Sequence, residues 1–302
     1  MDSFDGKIAV VTGGGSGIGR ELVLQLAAQG CEVATCDLSA DQLDETVHLA
    51  TSAPGAPHVH VSSHVCDVSD QDAMVAFSEA VRTQHQADHV DLVVNNAGLS
   101  GGGSLFLDSR SSWDRCFDVC FSGVRYGTLA FLDLLVASED SHLVNVASVN
   151  GLWATLGPDR PHSAYSTAKF AVRGFTEALI TDLAVHAPHV GVSVVMPGHV
   201  GTSIVANSMR HGADQVDPEV APAMHELSDM FKETAPTTAA SAARTILDGV
   251  LQRRWRILVG DDARAIDEAI RADPESAYDG RSLFDFAGTP ELTLAVPDPS
   301  GV

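Results

Sequence analysis

Residues 7–30 read KIAVVTGGGSGIGRELVLQLAAQG. A short β-branched run, Lys7 to Thr12, passes through Gly13-Gly14-Gly15-Ser16-Gly17-Ile18-Gly19 into a segment with helical periodicity. Glycines in that place allow a tight turn, bring backbone N–H groups close to an anion and let the start of the helix pack on the strand. The spacing is Thr-Gly-x3-Gly-x-Gly and not Gly-x-Gly-x-x-Gly, so the loop alone says little. Set between a first strand and a helix, it points to a dinucleotide. The next strand, EVATCD, ends at Asp37, 18 residues beyond Gly19, near the offset of about 20 at which an acidic residue meets an adenosine ribose. A carboxylate there would accept from both ribose hydroxyls and repel a 2′-phosphate, and neither Ser16 nor Leu38 offers a cation to compensate. NAD is therefore expected over NADP. The plainer reading of Asp37 is a cap for the helix that begins near Ser39.

The same alternation continues outward. Apolar runs HVSSHVCD (60–67), VDLVVNN (90–96), HLVNVAS (142–148) and GVSVVMP (191–197) alternate with helical patterns near 18–29, 39–51, 69–86, 110–137, 163–187 and 237–250. Strands apolar on both faces fit the middle of a parallel sheet covered on both sides, which predicts a three-layer, doubly wound α/β sheet in a single domain. Ser69 and Asp70 read as one helix entry, Pro236 and Thr237 as another. Residues 1–272 form the expected domain. An excursion at about 201–235 has the position of a substrate lid, and 273–302, with four prolines, reads as a C-terminal tail.

Composition narrows the function. The chain has 302 residues, 45% hydrophobic, with 18 Lys+Arg against 40 Asp+Glu and a formal charge of −22. Such a chain repels polyanions, so no nucleic acid is expected. No run is expected to reach the roughly 20 apolar residues of a membrane span, and the acidic start lacks a signal-peptide pattern. A soluble, cytoplasmic protein without membrane contact is the expectation. The five cysteines show no metal spacing, so reduced thiols and no metal are expected.

Taken together, TGGGSGIG, Asp37, Asp67 in CDVS, Asn95-Asn96-Ala97-Gly98, Ser148, Tyr165-x3-Lys169 and Pro197-Gly198-His199-Val200-Gly201-Thr202 resemble the short-chain dehydrogenase/reductase family, in its order, over roughly 7–260. The resemblance implies a Rossmann fold, a nicotinamide cofactor and interconversion of an alcohol and a ketone. It implies that Gly13, Ser16, Gly17, Ile18 and Gly19 hold the pyrophosphate. Asp67 and Val68 would hold the adenine, Asn95, Ala97 and Gly98 would wall the ribose, and Pro197, Gly198, Val200 and Thr202 would grip the carboxamide. Tyr165 would exchange the proton, Lys169 would anchor the ribose and Ser148 would bond the substrate oxygen. Four residues apart on a helix, Tyr165 and Lys169 share a face, about 6 Å apart at Cβ. Lowering the phenol from about 10 to near 7 requires roughly 4 kcal/mol, which an ammonium and a cationic nicotinamide are expected to supply.

Two departures stand out. Cys120 occupies the place of a family Asn whose main-chain carbonyl helps hold a water, so a kinked helix presenting the Cys120 carbonyl is expected to keep that relay. A reactive Cys120 is disfavoured by the expectation that no cation lies beside it. The Ser148 to Tyr165 spacing is 17 residues where the family commonly has 13, an addition a loop absorbs at small entropic cost. Trp153, Leu156, Leu99, Met196, Ile204 and Met209 are expected to line the substrate side, with His199 as its polar handle. The expected reading is an NAD-dependent dehydrogenase for a small, fairly apolar secondary alcohol, assembled as a homodimer or homotetramer through its uncharged helices. The alternatives are a 3-oxoacyl thioester reductase and a non-catalytic NAD-binding sensor or scaffold.

Overall fold

The structure, a computed structural model, describes residues 1–52, 57–101, 103–157, 160–213, 220–278, 280 and 285. Seven parallel strands form its sheet: β1 (Ile8–Thr12), β2 (Glu32–Asp37), β3 (Val61–Val65), β4 (Leu92–Asn95), β5 (Ser141–Val146), β6 (Val190–Pro197) and, last in the chain, β9 (Arg256–Val259). Their spatial order is β3-β2-β1-β4-β5-β6-β9. A two-residue pair, β7 (Val200–Gly201) with β8 (Thr237–Thr238), ties the excursion after β6 back to the domain. The architecture is the expected Rossmann-type doubly wound sheet in one domain.

The α-helices among the described residues are α1 (Gly17–Ala28), α2 (Ala40–Ser52), α3 (Gln71–Gln84), α4 (Arg110–Phe117), α5 (Gly123–Ala137), α6 (Ser163–His186), α7 (Ile204–His211), α8 (Ala221–Glu233), α9 (Ala239–Leu251) and α10 (Asp261–Ala272). Alternate residues of one strand feed opposite layers. Val11, Val94 and Val144 pack with Leu22 and Leu26 of α1 and Ile246 of α9, whereas Val10, Val93 and Leu143 pack with Phe77 of α3 and Phe131 of α5. Full burial on both faces explains why these strands are apolar without alternating.

Several expectations shift. Asp70 caps α3, accepting from Asp72 N and Ala73 N at 2.9 and 3.1 Å. The last long amphipathic entry is set by Thr238, which accepts from Ser241 N at 3.1 Å, and not by Pro236 or Thr237. The sequence pattern offers no element beyond residue 250, whereas the chain goes on to form β9 and α10. β9 is four residues long, at the sheet edge and entered through Arg254, Trp255 and Arg256, a weak strand signal. The helical run Arg110–Ala137 is long and apolar enough to cross a membrane, contrary to the sequence reading, but half of its apolar window is buried inside this fold. Most of the expected tail, 273–302, and positions 214–219 of the excursion lie outside the described residues.

Candidate active site

β1 is flanked by β2 on one side and β4 on the other, and chain connections diverge there, which opens a crevice at the carboxyl ends of the strands. A cavity of about 850 Å³ occupies it. At one end stands the glycine loop. Gly13 and Gly17 have φ of +71° and +54°, and a Cβ on Gly13 would lie 2.8 Å from Ala97 Cα. A side chain at either position is strained, so the backbone edge stays open to a ligand. Ser16, Gly17, Ile18 and Gly13 line the cavity. Gly19 does not: a Cβ there would collide with the Gly13 carbonyl, so its role is close packing beneath the loop.

Asp37 and Leu38 line the same end. Asp37 accepts from Gly15 N at 3.0 Å and from Leu38 N at 2.7 Å, so the carboxylate braces the loop whose ligand it would face. Arg20 is turned under the loop toward the Gly15 carbonyl, Thr46 and Glu45. Asp67 and Val68 also line the cavity. Burial raises the Asp67 carboxyl, but hydrogen bonds from Ser69 and Arg115 outweigh it and hold the group below the usual carboxylate range. Arg115 donates to Asp67 at 2.8 Å. Ala97 and Gly98 form part of the wall, joined by Asn96 where Asn95 was expected. Asn95 is buried and donates to Thr128 and Asn145 at 3.2 and 2.9 Å, binding the sheet to α5. Asn96 N and Ala97 N both donate to Thr12 Oγ1, which latches this loop to the glycine loop.

Deeper in the cavity Ser148, Tyr165 and Lys169 converge. Ser148 ends the β5 segment and its hydroxyl accepts from Asn150 N at 3.1 Å. One turn apart on α6, the Lys169 ammonium lies 5.4 Å from the centroid of the Tyr165 ring. Lys169 is 3% exposed and donates to the Val146 carbonyl at 3.0 Å, so its charge is seated inside the protein with a hydrogen-bond partner. Burial pushes the Tyr165 phenol above its ordinary range; the Cys120 and Cys116 thiols push the same way and the Ser148 hydrogen bond opposes them. The protein's own groups therefore hold the phenol up, and the lowering expected of the ammonium together with a cationic nicotinamide does not come from the protein alone.

The widened turn at Cys120 has a clear shape. Residues Asp118–Ser122 form a π-type turn between α4 and α5, with Gly123 N bonded to Asp118 O. Such a turn adds one residue to the ladder and loosens its carbonyl pairing. The Cys120 thiol donates to Leu99 O at 3.2 Å and accepts from Leu99 N at 3.4 Å, pinning the turn to the segment after Gly98. Cys120 is buried and is not part of the cavity lining. Contrary to expectation, a cation does lie near it. The Cys116 thiol is the largest influence lowering Cys120, and it outweighs burial together with the Lys169 ammonium and the Leu99 amide.

On the substrate side Leu99, Leu156 and Ile204 line the cavity, and α7 and α8 add Val205, Leu227 and Phe231. Trp153 and Met196 are instead buried in packed clusters behind the wall, Trp153 against Ala263 and Ile266 of α10. Large flat rings have the most apolar surface to bury, which draws Trp153 into the core. Met209 is not part of the lining. His199 reaches the cavity but its Nε2 is held by the Phe231 carbonyl at 2.7 Å, and its ring lies tilted against that of Phe231, centroids 4.3 Å apart. It fastens α8 and is spent as a handle. Asn207 donates to Ser16 at 2.9 Å and Ser100 N donates to Ser208 at 2.7 Å, so α7 bridges both walls.

Two residues escaped the sequence reading. Asp262, at the start of α10, accepts from His199 N at 2.6 Å and fills the space a Gly198 side chain would need. His162, at the end of the long loop after Ser148, stacks on Tyr165 with ring centroids 4.8 Å apart. Burial pushes its imidazole down to about 4, so it is neutral near pH 7. Its Nδ1 has no hydrogen-bond partner among the described residues, and the side chain lines the cavity. The unusual Ser148 to Tyr165 spacing was the available signal for it.

The family model described as short chain dehydrogenase matches residues 7–212. A Mycobacterium tuberculosis protein, SadH, named as an oxidoreductase, is 40% identical over 273 residues, spanning 90% of this chain and 92% of its own. A short chain dehydrogenase/reductase from Burkholderia phymatum, solved in complex with NAD, superposes with a TM-score of 0.80 at 28% identity, covering 93% of this chain and 99% of its own. An alcohol dehydrogenase from Thermococcus sibiricus, complexed with 5-hydroxy-NADP, shares the fold at TM-score 0.63 and 24% identity over 84% of this chain and 94% of its own.

Proposed function

The chain belongs to the short-chain dehydrogenase family, and from that premise we propose that it is an NAD-dependent oxidoreductase interconverting a secondary alcohol and a ketone on a small, fairly apolar molecule. The observation that carries the reading is one cavity holding Asp37 at one end and the buried Ser148, Tyr165 and Lys169 group at the other. The residues present fit the cofactor: open glycine backbone at Gly13 and Gly17, the first turn of α1 behind it, and a carboxylate at the ribose position. When bound, NAD accepts hydride from the carbinol carbon.

The chain's own groups supply the rest. Ser148 donates to the substrate oxygen and orients it toward Tyr165, whose phenolic oxygen takes the alcohol proton in oxidation and returns it in reduction. Lys169 places a positive charge beside the phenol and the ribose hydroxyls. Leu99, Leu156, Ile204 and Phe231 exclude water from the reacting carbon. The excursion containing α7 and α8 acts as the lid. Formation of NADH over a panel of secondary alcohols, with no turnover of any of them as the overturning result, tests the reading.

The family fold is compatible with either dinucleotide, so cofactor choice falls to the Asp37 end. None of the arginines or lysines lining the cavity (Arg115, Arg160, Lys169) stands next to Asp37 in sequence, and Arg115 is engaged with Asp67. NAD should bind far more tightly than NADP. A hydrogen bond to a charged acceptor contributes about 1.5–3 kcal/mol, so Asp37→Asn should lose NAD affinity and narrow the preference by ten- to a hundredfold in order of magnitude. Calorimetric titration giving equal NAD and NADP affinities for the wild type would remove this assignment.

Cys120 acts in this reading through the turn it shapes. Cys120→Ser keeps a donor and acceptor for Leu99 and should retain turnover within about threefold, while Cys120→Ala lowers stability by roughly 1–2 kcal/mol. Urea unfolding and steady-state rates check both. A folded, NAD-binding Ser variant without activity would mean that the thiol itself reacts.

Leu129 and Val136 on α5, with Phe170 and Ile180 on α6, expose apolar side chains on helices poor in charge. They are proposed to pack in a homodimer or homotetramer. A monomer mass by light scattering at micromolar concentration contradicts this.

A further inference from the structure

At the amino-terminal edge of the sheet, away from the cofactor crevice, three potential metal ligands meet. Glu32 opens β2, His60 directly precedes β3, and His85 caps the end of α3. Parallel pairing of Val33 with Val61 sets Glu32 and His60 side by side on neighbouring strands. Each of the three presents a ligand atom, and these atoms all lie within 4.8 Å of one another. His85 Nδ1 is 2.9 Å from Glu32 Oε2, and the His60 and His85 rings are 4.3 Å apart. His85 is buried, Glu32 half-buried and His60 exposed, so one side of the group opens to solvent.

The surroundings organise His85 as ligating histidines are organised. Ser62 Oγ lies 2.8 Å from His85 Nε2 and 3.2 Å from His64 Nε2. Where Ser62 accepts from Nε2–H, the Nδ1 lone pair of His85 faces the Glu32 carboxylate and a cation between them joins the two; where Ser62 donates to Nε2, Nδ1–H donates to Glu32 instead. A bound metal selects the first arrangement, because a partner on the far ring nitrogen then holds the lone pair toward the ion.

We propose that Glu32, His60 and His85 form a site for a zinc-class divalent transition metal, which fastens the end of α3 to the β2–β3 edge. Two imidazoles and one carboxylate with water in the fourth place make a tetrahedral donor set at about 2.0–2.2 Å, and a softer one than magnesium or calcium prefers. Closing the ligand atoms to the roughly 3.3 Å separation of such a site requires a side-chain turn of exposed His60. Glu32 and Asp37 occupy opposite ends of β2, roughly 16 Å apart along the strand, so the metal is structural and separate from the reacting centre.

The test is calorimetric titration of chelator-treated full-length protein with zinc chloride near neutral pH, together with melting temperature. One zinc per chain, a raised melting temperature and negligible magnesium binding are expected. His60→Ala, an exposed change that leaves the fold intact, and His85→Gln should each weaken zinc by more than about tenfold and abolish the thermal gain. Exposed His186→Ala should change neither. Zinc uptake by His60→Ala and His85→Gln equal to the wild type, magnesium binding as tight as zinc, or no zinc binding at all would each overturn the site. In the last case Ser62 donates to Nε2 and neutral His85 donates its Nδ1–H to Glu32.

Discussion

Tyr165→Phe is expected to lower turnover by about 10²–10⁴-fold, the usual contribution of a positioned acid/base, while leaving NAD affinity nearly unchanged. Phe fills the same volume among Cys116, Ala164 and Ala168, and keeps the stack with His162, so only the proton carrier is lost. Retention of more than about a hundredth of the wild-type rate would falsify the assignment of the proton to Tyr165. The pH profile adds a signed check. Burial raises the phenol and the Ser148 hydrogen bond lowers it. A raised phenol stays protonated to higher pH, so alcohol oxidation should climb as pH rises through its ionisation while ketone reduction falls. Ser148→Ala removes the lowering contact and should move both limbs to higher pH. Limbs that stay in place would show that Ser148 does not touch the phenol during the reaction.

Lys169→Ala is expected to damage two quantities together: turnover should fall by roughly 10³-fold, and NAD affinity should weaken as well. The ammonium is buried, sits 5.4 Å from the Tyr165 ring and is 3.5 Å from the position a Gly98 Cβ would take, so one charge serves the phenol and the cofactor wall. Removing it also strips the Val146 carbonyl of its 3.0 Å donor, a loss of about 1–3 kcal/mol in stability for a buried group left unsatisfied. Urea unfolding separates that loss from catalysis, because a fully folded variant at low urea still reports the kinetic effect. A decrease in rate with NAD affinity intact would confine Lys169 to the phenol.

Much of this was legible in the linear chain because the informative features are local. Short, continuous apolar runs without alternation marked β1 to β6, and the glycine loop identified itself by standing between β1 and α1. The i, i+4 spacing placed Tyr165 and Lys169 on one helical face before any packing was known. Local pattern failed where an element is short and at an edge, as with β9, and where a residue type permits two fates. Trp153 and His199 are both plausible in a pocket, but one is buried against α10 and the other is spent on the Phe231 carbonyl.

The chain alone therefore determined the parallel α/β layering and the place of the glycine loop, since hydrophobic periodicity and glycine conformation act over a few residues, while its motifs, through their family resemblance, singled out Ser148, Tyr165 and Lys169. Tertiary structure alone decided the rest. It seated the Lys169 charge near Cys120 and raised the phenol of Tyr165. It turned Asn95 inward, brought His162 over the Tyr165 ring and set Glu32, His60 and His85 together from positions up to 53 residues apart. Burial, and the electrostatics that follow from it, depend on which distant segments exclude water from a group, and that is a property of the packed chain.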